Sequence, residues 1–274
     1  MSRPLLEPPS SSAGWPTWRK SSVNTTDAVA HYASVGRVLL VSNDPVTVQQ
    51  LTEAMHQLAL SPEVCLEVPA ALRLLNTQKF EAVIVDLLLG ESAHAILVEV
   101  RISRSNRTAV TFAISGSPAG RAEAFKSGSS FVLERPLSVD LITRMLKAAY
   151  GFIVRERRRY FRCPVSVPAD IRRAALSDIR CQTLNISEGG MAISVPIPLK
   201  SGPLVSVHFQ LPNRPFQFAA QSFICWSDEQ GRLGLQFASS SGEWRSELQE
   251  WLSQRLEDSL PESVVEKFRR TIDS

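Results

Sequence analysis

Between residues 36 and 150, short apolar runs alternate five times with segments of helical spacing. That order leaves few architectures open. GRVLLVS, a short run near Val64–Glu67, AVIVDLLL, AVTFAIS and FVLERP read as strands. Near-continuous apolar runs of this length suit strands buried on both faces of a parallel sheet. Helical spacing follows each: Val46, Leu51, Met55 and Leu58 in the first, then segments over about 69–78, 93–103, 118–127 and 138–154. Five βα units predict an α/β doubly wound, five-stranded parallel sheet.

Past residue 162 the period changes. CPVSVPADIR, CQTLNIS, MAISVP, LVSVHFQL, QFAAQSFICW and LGLQF are short alternating segments separated by SEGG, LPNRP and DEQG. Six short strands with turns and no helices between them predict an antiparallel six-stranded β-barrel or sandwich. Trp244, Leu248, Trp251, Leu252 and Leu256 then form one apolar stripe of a C-terminal helix. Residues 1–35, rich in Pro, Ser and Thr without a sustained period, read as a disordered tail. The reading divides the chain into this tail, an α/β domain over 36–150, an arginine-rich linker over 151–162, a β domain over 155–258, and a C-terminal helix or tail over 259–274.

Composition narrows the function classes. A net charge of +3 does not call for a nucleic-acid or membrane-surface partner. The four cysteines form no CxxC pair, and no Cys/His set has zinc-ligand spacing. No apolar run is long enough to span a bilayer. With no signal-like N-terminus, a cytoplasmic location is expected. No Gly-rich phosphate loop and no nucleophile–base pair can be placed, so no enzymatic activity and no cofactor are expected.

Charge is concentrated in Arg155-Glu156-Arg157-Arg158-Arg159-Tyr160-Phe161-Arg162. Taken alone, such a cluster is a solvated basic helix end, a nucleic-acid patch or a ligand site. Five arginines so close together repel one another, so without a ligand the segment is expected to be mobile. Asn185-Ile186-Ser187-Glu188-Gly189-Gly190 follows 23 residues after Arg162. Asn185 and Ser187, two apart on a strand, share a face. A guanidinium fork bonds bidentately to phosphate or to a guanine edge and stacks on a base. The Asn185 carbonyl can accept from guanine, and the Ser187 hydroxyl can donate or accept. Gly190 either admits a ligand close to the backbone or supplies a positive φ for the turn.

The RRxxxR and NxSxxG pair, ahead of FICW and LGLQF, resembles the PilZ family over Arg157–Phe237. The resemblance implies a receptor for cyclic di-GMP, held by Arg157, Arg158, Arg162, Asn185, Ser187 and Gly190. Residues 36–150 resemble the receiver domain of two-component signalling. That family ends its third strand with a phosphoacceptor Asp, here Asp86. It ends its fourth strand with Ser or Thr, here Ser115, and follows its fifth with Lys-Pro, here Arg135-Pro136. Its acidic pair is replaced by Ser42 and Asn43, so Asp86 reads either as a phosphoacceptor or as a carboxylate paired with Arg135. Together the resemblances imply a cyclic di-GMP effector in which the ligand alters the domain arrangement. The alternatives are a nucleotide-independent PilZ adaptor and a phosphorylatable response regulator. A downstream protein partner and a homodimer through the receiver-like part are also open.

Overall fold

The computed structural model describes residues 34–173, 176–197, 199–238 and 243–266. The expected tail over 1–35 lies almost wholly outside the described residues. The described chain divides into two units, residues 34–157 with 257–266, and residues 158–256.

In the first unit, strands β1 (Gly36–Val41), β2 (Leu60–Cys65), β3 (Ala82–Asp86), β4 (Val110–Ser115) and β5 (Phe131–Glu134) form one parallel sheet in the order β2-β1-β3-β4-β5. This is a doubly wound order. Alternation along each strand explains the apolar runs. Val38 and Leu40 join one core with Leu51 and Met55 of α1 (Pro45–Gln57) and Leu146, Ala149 and Ile153 of α5 (Val139–Tyr160). Leu39 and Val41 join the opposite core, with Leu75 of α2 (Val68–Thr77), Ile96 and Val100 of α3 (Ser92–Ile102), and Ala124 of α4 (Pro118–Lys126). With period 2, both faces of a covered strand must be apolar.

Two boundaries differ from the sequence reading. β2 begins at Leu60, ahead of the expected Val64, although it contains Pro62. An edge strand tolerates a residue without an N–H, and β2 is an edge. The last helix of the sheet domain continues past residue 154 to Tyr160, so Arg155–Arg159 lie in helix where a mobile connection was expected. Cations suit a helix C-terminus, and Glu156 and Arg157 are buried there among charged partners described below. The chain also returns to this unit after residue 256. Leu260 is buried in the first core, and Val264 and Val265 pack against it.

The second unit is a closed barrel. β7 (Pro168–Arg173), β8 (Leu176–Ser187), β9 (Gly190–Ser194), β10 (Leu204–Phe209), β11 (Phe218–Ser227) and β12 (Arg232–Phe237) pair antiparallel in the order β8-β7-β10-β11-β12-β9, and β9 closes onto β8. The short strand β6 (Cys163–Pro164) adds to β8 outside the ring. Ile171, Ile186, Ile193, Val207, Phe218 and Leu233 are fully buried. Phe209 and Phe218 stack with ring centroids 5.2 Å apart. Helix α6 (Glu243–Asp258) buries Leu248, Trp251, Leu252 and Leu256. The Trp251 indole N–H donates to the Pro212 carbonyl at 3.2 Å. Arg214 holds the helix through Glu247 (3.1 Å) and Glu250 (3.3 Å).

Candidate functional site

At the C-terminal edge of the parallel sheet, Asp86 ends β3 and is 1 % exposed. Its Oδ1 accepts the Leu88 N–H at 3.1 Å. Its Oδ2 accepts both the Ser42 hydroxyl (2.8 Å) and the Arg135 guanidinium (2.6 Å). The same guanidinium reaches Asp44 Oδ2 at 3.2 Å. Asp44 also accepts the Thr47 hydroxyl at 2.5 Å and the Val46 N–H, capping α1. The Thr47 hydrogen bond, aided by Arg135, holds the Asp44 carboxyl below its ordinary range. Ser115 ends β4, and its hydroxyl donates to the Ser117 carbonyl at 2.9 Å. Asn43 is exposed.

A receiver fold implies a magnesium ion at this edge, and the residues here do not fit one. Mg²⁺ needs several oxygens in octahedral array. Ser42 and Asn43 supply no carboxylate, Asp44 is engaged by α1 and Arg135, and the Arg135 fork lies directly on Asp86. A fixed organic cation thus neutralises Asp86.

The arginine segment is divided between the two units. Arg157, the last residue of the first unit before the barrel, is 6 % exposed, and its Nη1 lies 4.0 Å from Oε1 of the buried Glu81. Beside it, buried Glu156 accepts the Lys79 ammonium at 2.5 Å and the Thr108 hydroxyl at 2.6 Å. Arg155 and Arg159 are exposed. Neither Lys79 nor Glu81 stands out in the sequence. Each is a single charge ahead of a strand, and nothing in local spacing links it to a residue more than seventy positions later.

Arg158 and Arg162 belong to the barrel unit. Arg158 is half-buried, and its Nε finds no hydrogen-bond partner among the described residues. Arg162 Nη1 donates to Asn185 Oδ1 at 3.4 Å, so residues 23 apart meet. Strand pairing brings this about: β6 places Pro164 opposite Asn185, two residues from Arg162. Burial pulls the Arg162 pKa down to about 10, which leaves the side chain charged at neutral pH. Ser187 is buried, and its hydroxyl donates to the Gly190 carbonyl at 3.0 Å, closing the turn between β8 and β9. Gly190 has no positive φ. A Cβ there would overlap the Leu235 carbonyl oxygen, so the glycine lets β9 approach β12. That close approach replaces the turn conformation as the reason for glycine.

Residues 156–254 match the family model described as PilZ domain. Solved structures match the other part. The receiver domain of a Pseudomonas aeruginosa sensor histidine kinase is 19% identical, covering 42% of this chain and 98% of that one, with a TM-score of 0.39. A Francisella response regulator receiver domain is 22% identical, covering 42% and 97%, with a TM-score of 0.38. A CheY-like receiver domain from Methylobacillus flagellatus is 23% identical, covering 42% and 98%, also at 0.38. No curated protein matches the chain. Among the described residues, no helix is long and apolar enough to cross a membrane.

Proposed function

We propose that this chain is a cyclic di-GMP effector whose ligand is held by Arg157, Arg158, Arg162, Asn185, Ser187 and the Gly190 turn. The observation that carries this reading is the hydrogen bond from Arg162 to Asn185, which brings the last arginine of RRxxxR to the first residue of NxSxxG. Cyclic di-GMP carries two phosphates and two guanines, which matches guanidinium forks beside an amide acceptor. In the effector, the ligand ties the arginine segment to the barrel and alters the arrangement of the units. Small-angle scattering with and without ligand tests that step.

Isothermal calorimetry tests binding itself. A micromolar Kd, about −8 kcal/mol, is expected. Arg158→Ala and Arg162→Ala should each weaken it by about 1.5–3 kcal/mol, through loss of a charge-assisted hydrogen bond. Unchanged affinity in both variants refutes the site. Absence of binding by the native chain favours the nucleotide-independent adaptor, a reading that the engagement of Arg157 with Glu81 also fits. The receiver-like unit is read as a non-phosphorylated module, because Arg135 already occupies Asp86.

A further inference from the structure

Glu81 is 0 % exposed, directly ahead of β3. Its Oε2 accepts the Arg37 backbone N–H at 2.7 Å. Its Oε1 finds no hydrogen-bond partner among the described residues and faces the Arg157 guanidinium at 4.0 Å. Burial pushes the Glu81 carboxyl up, and the charges that oppose this are Arg157 first, then Lys79 and Arg37. The nearest helical turn is anchored in the same place, since the adjacent Glu156 is held by Lys79 and Thr108. An uncompensated buried carboxylate is costly, so Glu81 resists the loss of Arg157.

We infer that Glu81 competes with the cyclic dinucleotide for Arg157, so that the receiver-like unit restrains ligand binding by holding the first arginine of the RRxxxR element. The inference rests on the reading of the preceding subsection. A ligand phosphate or guanine edge must draw Arg157 away from Glu81, and the chain holds its ligand more weakly than its barrel residues alone allow. Coupling between sites typically spans about 5–150-fold in affinity.

The test is calorimetry of full-length Glu81→Gln against the native chain with cyclic di-GMP. Glutamine keeps the size and the acceptor for the Arg37 N–H while removing the charge. The expected result is about tenfold tighter binding. Native-like binding by a folded Glu81→Gln chain overturns the inference and leaves the ligand reading intact. A native chain that does not bind removes both.

Discussion

Arg135 bridges two carboxylates with one fork, and only one of them is buried. Removing it as Arg135→Ala leaves the buried Asp86 carboxyl with Ser42 and one backbone N–H as its remaining donors. A loss of about 3–5 kcal/mol is expected, the usual result of breaking a buried pair from one side, and urea unfolding measures it. Asp86→Asn removes the charge and turns one of the two accepting oxygens into a donor, but Arg135 keeps Asp44 and no carboxylate is left buried, so a smaller loss is expected. Acetyl phosphate with Mg²⁺ should leave the intact mass of the native chain unchanged. Stoichiometric labelling that vanishes in Asp86→Asn would show the carboxylate to be reachable after all. Gly190→Ala separates packing from recognition. Its methyl meets the Leu235 carbonyl, so β9 must move away from β12. Destabilisation of about 1–3 kcal/mol is expected in thermal or urea unfolding even without ligand.

At the scale of elements, much was legible because burial on both faces writes a strand as an unbroken apolar run. Leu39 and Leu40 face opposite cores, and neither position tolerates a polar residue. The barrel strands were legible by alternation, whereas the direct contact of Arg162 with Asn185 was not, because the two patterns pointed to a shared ligand rather than to each other. What stayed hidden was long-range charge pairing. The end of α5 reads as a self-repelling linker because Lys79, Glu81 and Thr108, which hold it as helix, are remote in sequence and individually ordinary. Hydrogen exchange therefore has a definite expectation: amides of residues 156–160 are protected in the ligand-free chain to the same order as those of residues 146–153. Fast exchange confined to 155–160 would mean that the anchors do not hold in solution.

At the scale of the whole molecule, the residues that complete each unit matter more than the nominal boundary between them. A fragment ending at residue 150, the boundary drawn from the sequence, omits Ile153 and Val154, both buried in the sheet's first core. Burying a side chain of this kind contributes about 1.5–3 kcal/mol. A fragment over 34–160 should accordingly unfold at higher urea than one over 34–150, and equal midpoints would show the last turns of α5 to be dispensable.

The return of Leu260 to that same core has a different kind of consequence, one for ancestry. The first unit is interrupted by the barrel, since its chain resumes only after Leu256. Modules joined end to end can be exchanged by a single recombination event. Here a single crossover at residue 157 would give the receiver-like unit a new neighbour and strip away the residues that finish its own interior. Shuffling this pair intact requires two breakpoints or the inheritance of both ends together, so the two units are expected to travel through descent as one piece.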